Sequence, residues 1–185
     1  MLIGVISDTH GNVTALRRAL ELLDGADMII HAGDVLYHPP RLGCGEGYDI
    51  PAFVDVLNGL DIPVVIAQGN CDAQVYEELL KMPVQSPYAY MCWNGVRILA
   101  AHGHLLTRSQ MVELGKRYKA DYFIFGHTHI PVLENVDGVT LLNPGSPAIP
   151  KYEFNGKPAP SVAVIDEDGA RVINIEDGST IAKEL

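Results

Sequence analysis

Asp8 and His10 are the first two side chains in this sequence with a chemically useful arrangement. They follow a short apolar run, Leu2-Ile3-Gly4-Val5-Ile6, and a single residue separates them. In an extended chain, residues i and i+2 point the same way, so a carboxylate and an imidazole would face one point. An oxygen ligand and a nitrogen ligand placed in this way suit a divalent metal ion. Chance produces Asp-x-His often, so the pair gains weight only because similar clusters recur along the chain.

Four further apolar runs end in polar residues that can bind metals. These clusters are Gly33-Asp34, Gly69-Asn70, His102-Gly103-His104 and Gly126-His127-Thr128-His129. In open α/β sheets, ligands bind beyond the carboxyl ends of the strands, so we expect all five clusters on one rim. A glycine beside a ligand lets the backbone approach closely or turn sharply. The candidate metal ligands are Asp8, His10, Asp34, Asn70, His102, His127 and His129.

This donor set is larger than one tetrahedral ion needs, but it suits two ions if one carboxylate bridges them. Two ions about 3.5–4 Å apart can hold both an attacking hydroxide and the phosphoryl oxygens of an ester. Oxygen and nitrogen donors without thiolate fit Mn, Fe, Zn, Co or Ni better than Ca. We favour Mn²⁺, on the ground that cellular availability and not affinity order alone decides which ion binds.

The elements that must position these clusters follow from hydrophobic periodicity. Strands are predicted at residues 2–6, 28–32, 63–67, 96–101 and 122–125, each directly before one cluster. Helices are predicted at 12–23, 51–60, 75–80 and 109–119, and hairpins at 88–101, 132–142 and 161–175. An early βαβαβ segment followed by antiparallel hairpins predicts an α/β (α+β) fold with two mixed sheets packed face to face.

Length and composition set the broad class. The 185 residues are 48% apolar and predict a single domain, 1–185, with a substantial core. The net charge of −10 argues against broad nucleic-acid binding, and no apolar run approaches the roughly 20 residues that span a bilayer. Three widely spaced cysteines and the lack of a signal-peptide pattern lead us to expect a cytoplasmic protein.

The clusters, in this order, resemble the calcineurin-like metallophosphoesterase superfamily. The motifs are Asp8-x-His10, Gly33-Asp34, Gly69-Asn70-Cys71-Asp72, His102 and Gly126-His127-x-His129. The Gly/Pro-rich segment with Glu46-Gly47-Tyr48, together with Asn143-Pro144-Gly145-Ser146, makes the chain similar to the small bacterial YfcE-type phosphodiesterases. The resemblance implies a two-sheet sandwich flanked by helices, with the site at one sheet edge.

The resemblance also implies a ligand set and a reaction. One ion would be bound by Asp8, His10 and His129, the other by Asn70, His102 and His127, and Asp34 would bridge them. The implied reaction is in-line attack of a metal-bridging hydroxide on the phosphorus of a small phosphate ester. We therefore expect a metal-dependent phosphodiesterase acting on a small phosphorylated substrate.

Cys71 departs from the superfamily pattern, in which a histidine thought to protonate the leaving group often stands at this position. A thiol is a poorer proton donor to an alkoxide. Our hypothesis is that the enzyme either tolerates good leaving groups or uses another acid, His104 or His38. The catalytic candidates are Asp34, Asn70, Cys71, His104 and His38.

Other interpretations stay open. The superfamily includes a retromer subunit that resembles a protein-interaction platform, so a non-catalytic scaffold is the alternative function. A nuclease or protein phosphatase usually needs a longer groove or added domains than this chain offers. The apolar hairpin with Trp93 offers either cross-strand packing or a homodimer face.

Three polar features have structural interpretations as well as functional ones. His31 lies inside a strand, which favours a core histidine with satisfied hydrogen bonds. Asp72 either hydrogen-bonds a ligating histidine or caps a helix. Residues 143–146 are expected to shape the rim without performing chemistry.

Overall fold

Two large β-sheets pack face to face in the computed structural model, which describes residues 1–37 and 43–184. The strands and helices in chain order are β1 (Ile3–Ile6), α1 (Val13–Leu22), β2 (Met28–His31), α2 (Ile50–Asn58), β3 (Val64–Ala67), α3 (Tyr76–Leu79), β4 (Val84–Gln85), β5 (Ala89–Trp93), β6 (Val96–Ala100), α4 (Arg108–Tyr118), β7 (Tyr122–Ile124), β8 (Val132–Val136), β9 (Val139–Asn143), β10 (Glu153–Phe154), β11 (Lys157–Pro158), β12 (Ser161–Asp166), β13 (Gly169–Asn174) and β14 (Thr180–Lys183). This confirms the predicted mixed α/β sandwich.

Parallel pairing directs the strand ends that matter to one edge. The seven-stranded sheet has the order β14-β13-β12-β1-β2-β3-β4, with β1 to β4 parallel to one another. The five-stranded sheet has the order β5-β6-β7-β9-β8, with β6, β7 and β9 parallel. The sequence patterns did not predict that β12 would lie antiparallel beside β1. That neighbour buries the first strand inside the sheet.

The core has three apolar layers, which follow from the alternation of side chains along the strands. In β1, Ile3 and Val5 face the second sheet, whereas Ile6 packs toward helices α1 and α2. On the outer face of the five-stranded sheet, Phe123 and Leu141 pack with residues of α4. The helices therefore flank the sandwich on both sides.

Local signals position the helices close to where the sequence predicted them. Asn12 caps α1 by accepting a hydrogen bond from the Ala15 N–H at 2.9 Å. Asp49 caps α2, with Pro51 in its first turn, and Thr107 with Gln110 forms a capping box at α4. Among the described residues, no helix is both long and apolar enough to cross a bilayer.

Trp93 is half-buried and packs against the core cluster between the sheets. It therefore contributes to packing within the chain, and its role in a homodimer face stays a prediction. His38, one of the candidate acids, lies outside the described residues.

Candidate metal centre

All five predicted clusters follow strands whose carboxyl ends meet at the edge between the sheets. Asp8, Asp34 and Asn70 follow β1, β2 and β3 of the larger sheet. His102 follows β6 of the smaller sheet, and His127 and His129 follow β7. The site is thus built by two sheets, each of which supplies one side.

The backbone at this edge adopts an unusual conformation. Five site residues have φ between 47° and 68°, in the left-handed region: Asp8, His10, Asp34, His127 and His129. This conformation costs a non-glycine residue about 1–2 kcal/mol. Such residues persist where the surrounding structure holds them, and they concentrate at functional sites.

Two glycines allow the loops to meet at the edge. A Cβ on Gly126 would lie 2.0 Å from Ser7 Oγ and 2.7 Å from Asp8 Oδ2. A Cβ on Gly69 would lie 2.2 Å from both the backbone nitrogen and Oδ1 of Asp34. The motif glycines are therefore required for close approach between loops, as the sequence predicted.

Three histidines are anchored by the same device. Their Nδ1 atoms lie 2.5 Å from the Tyr37 carbonyl (His10), 2.8 Å from the Ala32 carbonyl (His102) and 2.6 Å from the Ile149 carbonyl (His129). A carbonyl oxygen only accepts hydrogen bonds, so each Nδ1 carries the proton. Each Nε2 therefore faces the site, and the ring orientation is fixed, as in many metal-ligating histidines.

The Asp8 carboxylate lies at the centre of these nitrogens. Its Oδ2 accepts hydrogen bonds from the Ser7 hydroxyl at 2.7 Å and from the His127 backbone N–H at 2.9 Å. Its Oδ1 lies 3.4 Å from Nε2 of His129 and 3.9 Å from Nε2 of both His10 and His102. Asp8 is fully buried, and within the described ranges Oδ1 has no hydrogen-bond partner. A buried oxygen without a partner, surrounded by imidazole nitrogens, fits a bound cation.

Asp34 lies where it can serve two groups of donors. Its Oδ2 is 3.3 Å from Nε2 of His102 and 3.9 Å from Nε2 of His10. Donor atoms within 4.8 Å of one another form three groups: Asp8, His10 and His129; Asp8, Asp34 and His102; and His10, Asp34 and Cys71. These groups can hold divalent metal ions, and Asp34 belongs to two of them.

Asn70 and His127 complete the expected set at its periphery. Asn70 Oδ1 lies 3.1 Å from Nε2 of His102, and the His127 ring centroid lies 5.2 Å from that of His102. Both residues are exposed. His127 contributes to none of the donor groups found among the described residues, although its ring borders one of them.

Burial and charge shift the acid–base properties of the centre. Burial raises the pKa of Asp8 to about 7, although His102 opposes the shift. Burial alone would raise the pKa of Asp34 too, but hydrogen bonds from His102 and the Cys71 N–H hold it below its ordinary value. Burial lowers the pKa of His129 to about 4 and also lowers that of His127. Neutral imidazoles are the form that binds metals.

The proton-donor candidates differ from one another. Burial and then Asp34 raise the pKa of Cys71 to about 12, so the thiol keeps its proton at neutral pH. His104 is exposed, with its ring centroid 5.5 Å from that of His102, and burial of the ring lowers its pKa. Neither group therefore combines a readily released proton with direct contact to the donor cluster.

His31 is a core residue and does not face the centre. Its Nε2 lies 2.9 Å from the Thr9 hydroxyl, and its Nδ1 accepts the Gly33 N–H at 3.1 Å. Burial lowers its pKa to about 3, so the ring is neutral. This confirms the prediction of a core histidine with satisfied hydrogen bonds.

Asp72 has a role that the sequence did not predict. Its carboxylate accepts the backbone N–H groups of Asp34, Val35 and Gly69, each at 2.8 Å. It thereby joins the loop after β2 to the loop after β3. The two predicted roles, bonding to a ligating histidine and helix capping, are both wrong, because the contact depends on the adjacency of β2 and β3.

Residues 143–146 hold the rim, as predicted. The Asn143 side chain donates to the Gly126 carbonyl at 2.8 Å, and the Ser146 hydroxyl donates to the Asp8 carbonyl at 2.8 Å. Ser7 and Ser146 were not among the candidate residues. Ser146 ends the Asn143-Pro144-Gly145-Ser146 motif, but the motif does not reveal its partner, because Asp8 lies 138 residues away. Ser7 donates to the adjacent Asp8, and no motif indicated that contact.

Comparison with known proteins agrees with this geometry. The profile of the calcineurin-like phosphoesterase superfamily domain matches residues 1–170. The chain is 37% identical to phosphodiesterase YfcE of Escherichia coli K12 over 179 residues, which cover 96% of this chain and 94% of the relative. It is 32% identical to a probable metallophosphoesterase of Methanocaldococcus jannaschii, covering 96% of this chain and 83% of that protein.

Solved structures show the same relationship. The structure of the Escherichia coli phosphoesterase YfcE matches with a TM-score of 0.84 and 34% identity, covering 98% of this chain and 97% of that one. Vps29 of Entamoeba histolytica matches with a TM-score of 0.68 and 20% identity, covering 100% of this chain and 98% of that one, which shows a shared fold alone. The chain therefore belongs to the calcineurin-like phosphoesterase superfamily.

Proposed function

We propose that this protein hydrolyses small phosphodiesters with two divalent metal ions bound at the edge between its sheets. The observation that carries the proposal is the convergence of three anchored imidazole nitrogens on Oδ1 of Asp8, which has no hydrogen-bond partner among the described residues. The 37% identity to a named phosphodiesterase over nearly the whole chain supports a diester substrate.

The proposed ligands divide between two ions. Asp8, His10 and His129 bind one ion, and Asn70, His102 and His127 bind the other, with Asp34 shared. When bound, such a pair supplies Lewis acidity toward phosphoryl oxygens and lowers the pKa of water. The oxygen and nitrogen donors suit several divalent transition ions, and of these we propose Mn²⁺ on the ground of cellular availability.

The chain's own residues position the reaction. The three carbonyls that accept from Nδ1 keep the histidine rings fixed before any ion binds. Asp72 fixes the loops that carry Asp34 and Asn70. Preorganised donors of this kind do not need to rearrange as charge develops on the phosphoryl group.

The proton-donor candidates suit esters whose leaving groups need little protonation. The Cys71 thiol has a pKa near 12, because of burial and Asp34, and is a weak acid. His104 is neutral at pH 7, because burial lowers its pKa. We therefore propose a preference for diesters with good leaving groups, and a diester preference over monoesters.

A non-catalytic scaffold has less support than the enzyme. The scaffold-type matches, Vps29 from three organisms, are 17–21% identical to this chain, whereas the enzyme relative is 37% identical. Binding of a stoichiometric partner that survives Asp34→Asn would favour the scaffold.

The three cysteines are unpaired, which supports a reducing compartment such as the cytoplasm.

The test is a titration of metal-free protein with Mn²⁺, assayed on bis(p-nitrophenyl) phosphate, with Mg²⁺ and Zn²⁺ for comparison. We expect turnover that saturates with two ions per chain and exceeds turnover of p-nitrophenyl phosphate. Turnover no greater than the protein-free background at every metal concentration would contradict the proposal.

A further inference from the structure

A cavity of about 360 Å³ opens beside the candidate metal centre. His102 and Asn70, both in the proposed ligand set, line the cavity, so a substrate held at the centre has direct access to it. Small-molecule binding pockets typically have volumes of about 300 Å³ or more, so this cavity is large enough for one organic group of a substrate.

The outer wall of the cavity is apolar. Tyr88, Leu105 and Leu106 line it, together with Pro87. Leu105 is 74% exposed and Tyr88 is 36% exposed, so both present apolar surface that no described part of the chain covers. A flat organic group that covers this surface gains the free energy of burying apolar area on both partners.

The described part of the wall carries no permanent positive charge. Neither lysine nor arginine is present among the described lining residues. The carboxylate of Asp72, the acidic residue in the wall, is already engaged with three backbone N–H groups. In a protein of net charge −10, the described wall therefore offers no lysine or arginine to pair with an anionic organic group.

We infer that the substrate is a diester with at least one uncharged, flat organic group, and that this cavity binds the group against Tyr88 and Leu105. This inference rests on the proposed phosphodiesterase function and deepens it, because it names the substrate class. Diesters whose organic groups are small alkyl chains, or carry their own negative charge, are the poorer ligands.

The test compares competitive inhibitors of bis(p-nitrophenyl) phosphate hydrolysis by the Mn²⁺-loaded enzyme. Diphenyl phosphate should bind about tenfold more tightly than dimethyl phosphate, since it adds apolar contact in the cavity. Bis(4-carboxyphenyl) phosphate, of the same shape but with added negative charge, should bind more weakly than diphenyl phosphate.

The double variant Tyr88→Ala/Leu105→Ser tests whether this cavity binds the organic group. The tenfold ratio should fall to about twofold, while inhibition by dimethyl phosphate, which does not reach the cavity, changes less than twofold. The matched control is Tyr118→Ala/Leu79→Ser, which removes an exposed tyrosine and an exposed leucine outside the cavity. The control should keep the tenfold ratio.

Circular dichroism and thermal melting establish that both variants are folded, and the single variant Leu105→Ser replaces the double variant if that one unfolds. A wild-type ratio near one, or a ratio that the cavity variant leaves intact, overturns the inference while diester turnover continues. Absence of metal-dependent turnover overturns the proposed function instead, and the inference fails with it.

Discussion

Asp8, His10 and His129 are all buried, whereas Asn70 and His127, two of the three ligands proposed for the other ion, are exposed. We refer to Asp8, His10 and His129 as the buried half, and to Asn70, His102 and His127 as the open half. In the buried half, both rings donate Nδ1–H to carbonyls and the donor atoms already lie within 4.8 Å of one another. In the open half, His102 is the one ring anchored in this way by a described residue.

This difference bears on how the two proposed ions would be held. A ligand set that is fixed before binding loses little conformational entropy when the ion arrives, whereas exposed side chains must be ordered. The cavity proposed to bind an organic group of the substrate lies beside the open half, where Asn70 and His102 line it. We therefore expect the buried half to retain its ion and the open half to exchange its ion and admit substrate.

The largest effect is expected at the residue that the two halves share. Asp34→Asn should lower diester turnover about a thousandfold, because it removes the negative charge that holds both ions. The asparagine carbonyl oxygen can still accept the Cys71 N–H, a bond of 2.8 Å in this structure, so the loop should keep its shape. Steady-state kinetics with excess Mn²⁺ measure the effect. Turnover within tenfold of the wild type would contradict a bridging role.

The next largest effect is on Mn²⁺ affinity, which should differ between the buried half and the open half. In calorimetric titration of metal-free protein with Mn²⁺, we expect two binding events, the tighter assigned to the buried half. His129→Ala should weaken the tighter event about a hundredfold, and Asn70→Ala should weaken the other about tenfold. If both substitutions weaken the same event, the division into halves is wrong.

A smaller effect is expected from the carboxylate that positions the loops. Asp72→Asn leaves one of three backbone N–H groups without its acceptor, so the free energy of unfolding should fall by about 1–3 kcal/mol. The weaker Mn²⁺ event should lose about tenfold in affinity, and the tighter event should not change. The control is Asp121→Asn, a half-buried carboxylate bonded to Arg97 outside the donor cluster. If Asp72→Asn and Asp121→Asn lose equal affinity in the weaker Mn²⁺ event, Asp72 has no particular role in the site.

The smallest effect concerns the thiol beside the open half. Burial and Asp34 raise the pKa of Cys71 to about 12, so it should contribute little to protonation of a good leaving group. Cys71→Ser should change turnover of aryl diesters only about twofold, whereas Cys71→His should increase turnover of alkyl diesters. The measurement is the dependence of rate on leaving-group pKa across a series of esters. A dependence that is identical in all three proteins would show that this position takes no part in protonation.

Several parts of the fold could be predicted because their signals are local. Asn12 begins α1 and the Asn94-Gly95 pair turns the β5–β6 hairpin, as their residue types predicted. Helices α2 and α4 lie within two residues of their predicted bounds. The short strands β4, β10, β11 and β14 were not predicted. The first three are two residues long, too short for periodicity to distinguish a strand from a loop.

The sequence by itself determined which donors are present and that each follows a strand, because residue types and hydrophobic periodicity are local properties. It also determined the family, since five motifs in order are specific. The tertiary structure alone decided which donors meet. The carbonyls of Tyr37, Ala32 and Ile149 fix the histidines, and Asp72 joins two loops. These contacts link residues 20 to 70 positions apart, and they depend on strand order and sheet packing, which no local pattern encodes.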